Sequence, residues 1–89
     1  MHKNLLSAFG SRPQLLDNLQ MLEDELSDID HDESMLSYNR EKRCVQHKFS
    51  DDWDSEYIVL QHWSDHVGAQ FTLTEEPDKK GFFSAYIQV

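Results

Sequence analysis

The chain has 89 residues and a formal net charge of −9, with eight Lys and Arg against seventeen Asp and Glu. Its long-range field repels phosphate backbones and anionic lipid, which argues against nucleic acid and membrane surfaces as direct ligands. A 38% hydrophobic content that includes two Trp, three Tyr and five Phe suffices for one modest core and is too high for a disordered acidic tail.

Leu5, Leu6 and Phe9 run up to Gly10 and predict a short helical turn that docks on the core. Ser11-Arg12-Pro13-Gln14 has the spacing of a capping box, with Pro where a helix does not need its donor. Leu15, Leu19, Leu22, Leu26 and Ile29 follow at spacings of four, three, four and three, and Leu16 widens the stripe. This is one face of a 3.6-residue period and predicts a helix over about 12–27.

From Ser34 the pattern turns to short β-rich runs: Met35 to Tyr38, Cys44 to Phe49, Tyr57 to Trp63, Gln70 to Thr74 and Phe82 to Val89, separated by turn-forming clusters. Along the last two, Phe71 and Leu73 share a face, as do Phe83, Ala85 and Ile87 or, alternatively, Phe82 and Tyr86. Connections of this length join antiparallel neighbours. The expected fold is α+β: an N-terminal helix (about 12–27) packed on a four- to five-stranded antiparallel β-meander, with residues 1–89 as one domain. Residues 50–66 also admit a helix, because Trp53, Tyr57, Leu60, Trp63 and Val67 form a helical stripe ahead of Gly68. The β-branched and aromatic Tyr57-Ile58-Val59-Leu60 favours the strand.

No apolar run reaches the ~18 residues of a membrane helix, and Met1-His2-Lys3 leads into too few apolar residues for a signal peptide. Cys44 is the single cysteine, so no internal disulfide forms and a reducing compartment is expected. The expected location is the cytoplasm.

Seven of the seventeen carboxylates fall between Glu23 and Glu33. Such a charge run is ordinarily a solvated face. Glu23, Asp24, Asp28, Asp30, Asp32 and Glu33 can instead display negative charge to a basic groove, in imitation of the phosphates of a duplex. Asp51, Asp52, Asp54 and Glu56 surround Trp53, with Tyr57 beside them, in a predicted turn. Carboxylates around an aromatic combine a steering field with an anchor, although Trp53 can equally be a core residue.

Other chemistry finds less support. Asp28-x-Asp30-x-Asp32 resembles the start of a calcium loop, but Glu33 stands where Gly is required and Asn39 where the bidentate Glu belongs. His62-x-x-x-His66 has a zinc-pair spacing that converges only on a helix, with His47, Cys44 and Asp65 as further candidates. Cys44 beside Val45 reads as a small buried hydrophobe, without the base and orienting group that a nucleophile needs. Three glycines offer no phosphate-cradling loop. Neither a metal nor a cofactor is expected, and the chain is expected not to be an enzyme. Arg40, Lys42, Arg43 and Lys48 are expected to pair with the acidic run and to guard an edge strand, while the apolar Phe82 to Val89 is expected inside the sheet or paired with a twin subunit or client.

Leu5-Leu6-Ser7-Ala8-Phe9-Gly10 resembles the Leu-Leu-x-x-Phe-Gly opening of type III secretion chaperones, which are likewise small, acidic and α+β. The match spans six residues, and the chain has neither that family's Asp-Glu-x-Gly-Cys hairpin nor the length for its later helices. In size, acidity and helix-plus-sheet make-up it is also similar to immunity proteins and phage-encoded, anti-CRISPR-like inhibitors. The function expected is a small acidic inhibitor that mimics nucleic acid and blocks a basic, nucleic-acid-processing protein such as a nuclease. The alternative is a secretion or assembly chaperone that binds a client segment as a homodimer.

Overall fold

A computed structural model describes residues 3–29, 36–49, 53–78 and 81–89. The elements run α1 (Lys3–Phe9), α2 (Pro13–Ser27), β1 (Ser37–Asn39), β2 (Cys44–Lys48), α3 (Trp53–Val67), β3 (Gln70–Glu75) and β4 (Phe83–Gln88). The fold is α+β. Among the described residues no helix is long and apolar enough to cross a membrane.

The predicted leucine stripe builds α2: Leu19, Leu22 and Leu26 are fully buried, each contributing roughly 2 kcal/mol of transfer free energy. The capping box does not form. Arg12 is the N-cap residue and makes no side-chain cap, Pro13 enters the first turn, and Gln14 turns along the helix to the Asn18 side-chain oxygen at 3.4 Å.

The largest correction concerns residues 57–63, where the expected strand is the middle of α3. Burial of Glu56, Leu60, Trp63 and Ser64 with exposure of Ile58 is a helical period, and packing along it overrides the β propensity of the Ile58-Val59 pair. A Schellman stop ends α3: Gly68 takes φ +75° and the Ala69 N–H bonds the Ser64 carbonyl at 3.0 Å. A Cβ at Gly68 meets open space, so Gly68→Ala suffers only the left-handed backbone strain. Its expected cost is about 1 kcal/mol, read as a lower urea midpoint at unchanged slope.

Among the described residues four strands form one antiparallel sheet in the order β1-β2-β4-β3. Both β2 and β3 pair antiparallel with β4, so they run parallel to each other with β4 between them, and α3 is the crossover that joins them. The strand order departs from the expected meander for this reason: one of its expected strands, 57–63, is a crossover helix. Register places Tyr38, Val45, His47, Phe71, Leu73, Phe83, Ala85 and Ile87 on one face. This face meets Leu5, Leu19, Leu22, Leu26, Leu60 and Trp63 in the core. Gln46, Lys48, Thr72, Thr74 and Tyr86 share the opposite, polar face.

The two edges of the sheet are treated differently. On β1, the Asn4 side-chain amide donates to the Tyr38 carbonyl at 3.2 Å and accepts the Tyr38 N–H at 3.1 Å, so a side chain closes the ladder as a neighbouring strand would. No described residue does this for β3.

Candidate functional site

Asp17, Met21, Asp24 and Asp28 recur at spacings of four, three and four on α2 and the residue after it, and all four are exposed. At 100° per residue they lie opposite the buried leucines, with Glu25 exposed beside them. Asp17, Asp24, Glu25 and Asp28 therefore place four carboxylates along about 16 Å of helix axis, a mean spacing of roughly 5.5 Å. That is sparser than the ~3.4 Å charge spacing of a single phosphate strand and falls well short of a duplex. Among the described residues none of the four pairs with a Lys or Arg, so the expected pairing of Arg40, Lys42, Arg43 and Lys48 with the acidic run is not made at these four positions. Instead the Lys42 ammonium sits 4.8 Å from the centre of the Tyr86 ring.

Glu23 departs from the expected surface. It lies on the buried side of α2, where its carboxylate accepts the Leu36 N–H at 3.1 Å and ties the chain entering β1 to the helix. Asp30, Asp32 and Glu33, the rest of the predicted acidic run, lie outside the described residues, as do Asp51 and Asp52.

The second predicted patch is also divided by burial. Trp53 opens α3 and does not lie in a turn, and Asp54 is exposed in the first turn. Glu56 is 1% exposed and meets His47 of β2, itself fully buried, at 3.2 Å. It is therefore an internal tie between helix and sheet. Its neighbour Tyr57 is half-buried, packs edge-on to Phe71 with ring centres 5.9 Å apart, and reaches the Gln61 side chain.

The candidates for metal or covalent chemistry are dispersed. His62 and His66 do fall on a helix, where both are exposed, while His47 and Cys44 are buried in β2. Among the described residues no three His, Cys, Asp or Glu side chains stand close enough to share an ion. Burial raises the Cys44 thiol above its ordinary pKa and the nearby Lys42 ammonium only partly opposes this, so the thiolate is disfavoured.

Sequence reasoning missed a cleft. Tyr57, Gln61, Ser64 and Asp65 of α3 face Ala69, Gln70, Phe71 and Leu73 across an opening of about 640 Å³. Gln61 donates to Asp65 at 3.1 Å. The Ser64 hydroxyl has no partner among the described residues. Both walls depend on α3 being helical, so the strand reading of this segment concealed them. A smaller cleft of about 480 Å³ lies between Arg12, Leu15 and Asn18 on one side and Trp63, Val67 and Val89 on the other. No protein family, curated protein or solved structure matches the chain.

Proposed function

We propose that the protein is a non-enzymatic inhibitor that acts in the cytoplasm by binding a basic, nucleic-acid-processing protein through the exposed carboxylates of α2. The observation that carries this reading is where those carboxylates stand. Asp24, Glu25 and Asp28 crowd the C-terminal end of α2, whose last turn has no basic residue. The helix dipole is negative at that end and disfavours each carboxylate by about 0.3–1 kcal/mol. A face needed only for solubility would sit more favourably at the other end. Charge held against the helix dipole is explained by use on a cationic partner, whose approach the field accelerates. Met21, 43% exposed within the stripe, supplies an apolar contact for the docked state.

Capture from the native cell, with sizing by light scattering, would provide the partner. Asp24→Asn combined with Asp28→Asn is then expected to slow association on the order of threefold to tenfold at low salt and to flatten its salt dependence. The same pair of changes is expected to raise folding stability by about 0.5–1 kcal/mol, because it removes charge from the negative helix end. Association kinetics unmoved in a stabilised variant would remove the docking role. A stable homodimer whose client binding ignores moderate salt would support an assembly chaperone instead.

A further inference from the structure

β3 is an edge strand of six residues, and its backbone shows which groups are free. The Glu76 N–H donates to the Phe82 carbonyl at 2.8 Å, and the β3–β4 register carried one step further sets Glu76 opposite Phe82. In an antiparallel ladder the bonded positions alternate. Gln70, Thr72 and Thr74 therefore direct their N–H and C=O groups to β4, while Phe71, Leu73 and Glu75 direct theirs outward. Among the described residues nothing receives them. The strand also lacks the usual protections of a natural edge: it contains no Pro and no Lys, and Gln70 to Glu75 pairs with β4 without interruption. The opposite edge, by contrast, is three residues long and closed by Asn4.

The cleft between α3 and β3 runs beside this open edge. A chain added there would lay alternate side chains between the strand and the helix, as in recognition by strand addition. The walls describe those side chains. Tyr57, Phe71 and Leu73 provide apolar surface among the polar Gln61, Ser64 and Gln70, Leu73 being 38% exposed, with Ile58 67% exposed on the outer side of α3. Asp65 stands at the Gln70 end, and Glu75, whose carboxylate accepts the Gly81 N–H at 3.1 Å, ends the strand about 17 Å away. Asp54 lies on the same side of α3 as Gln61 and Asp65. Carboxylates at both ends of a mixed, largely polar wall, on a chain of net charge −9, complement a segment with basic ends. They repel a second copy of this chain.

We propose that the α3–β3 groove binds an extended, basic segment of a partner protein, which adds to the sheet as a fifth strand against β3. This rests on the reading of the protein as a binder of basic partners and locates where the bound state is held: the α2 carboxylates steer, and the groove retains. The partner segment alternates apolar residues that enter the groove with others that face away, and carries Lys or Arg where it passes Asp65 and Glu75.

The probe is a capped synthetic (Lys-Val)4 peptide, with (Glu-Val)4 as control, titrated into the full chain labelled with nitrogen-15. Amide resonances of Phe71, Leu73 and Glu75 are expected to shift with the basic peptide only. Leu73→Pro removes an outward donor without touching the β3–β4 ladder, and is expected to weaken binding at least tenfold. If that variant loses native dispersion, Leu73→Lys serves in its place and is expected to weaken binding through like charge. Asp65→Asn is expected to weaken it about threefold and to lower its salt dependence. Basic-peptide binding that spares the β3 amides and ignores both Leu73 variants overturns the groove and leaves the acidic reading intact, since Asp24 and Asp28 test that reading separately. Equal binding of the acidic peptide, or no binding, overturns the proposed chemistry. Peptide-free self-association that Leu73→Pro abolishes overturns it in favour of a second copy.

Discussion

Glu56→Ala is expected to destabilise the fold by about 3–5 kcal/mol, a large share of what a domain of this size commands. Glu56 enters from the first turn of α3 and His47 from β2, each at most 1% exposed and 3.2 Å apart. Among the described residues His47 Nδ1 has no hydrogen-bond partner. Truncating Glu56 therefore takes the partner of the other ring nitrogen, leaves a buried ring polar on both sides and opens a hole under the helix. Urea unfolding followed by circular dichroism should show a lower midpoint at an unchanged slope. Replacing both residues, His47→Leu with Glu56→Met, should recover most of the loss, because removing both polar partners together avoids the orphaned group. A cost below about 1 kcal/mol for Glu56→Ala would mean that water reaches the pair and that α3 is held by its apolar face alone. Tyr57 follows Glu56 and forms part of the groove wall.

Trp63→Ala should cost about 3–5 kcal/mol. Trp63 is 2% exposed in the core, and its indole N–H donates to the Asn18 carbonyl of α2 at 2.8 Å. One side chain thus locks the two long helices through both packing and a directed bond. The two contributions separate in Trp63→Phe, which keeps most of the apolar body and deletes the donor. The Asn18 carbonyl lies mid-helix and retains its ladder partner, so that change should cost only about 1–2 kcal/mol. Thermal unfolding of both variants would order them. A Phe variant as damaged as the Ala variant would transfer the weight from packing to the hydrogen bond.

Where apolar spacing was unambiguous the chain could be read directly. The four-three-four leucine pattern placed α2 within a residue, and alternation located β2, β3 and β4 close to their observed ends. The α3 segment misled because its β-branched centre and evenly spaced turns imitate a meander, although Gly68 and the Leu60-Trp63-Val67 stripe carried the correct signal. The same stripe extends back to Glu56, just as the leucine face of α2 includes Glu23. Charge density along the sequence counts both as surface, whereas rotation about the helix axis buries them. The partner of each was beyond the reach of spacing: His47 meets Glu56 because the β-α-β crossover lays α3 on the sheet, and Leu36 meets Glu23 because the chain enters β1 alongside α2. The open edge of β3 was hidden for a related reason, since it depends on β4 inserting between β2 and β3.

The amide of Asn4 has a further effect through its two hydrogen bonds to the Tyr38 backbone. Fibre growth requires two exposed rims on every subunit, one to receive a neighbour and one to offer the next. With one rim sealed, any β pairing that this protein undergoes stops after a single addition. Asn4→Ala would unseal that rim and give the chain a second point of attachment, so that variant is the one in which ordered aggregation should first appear.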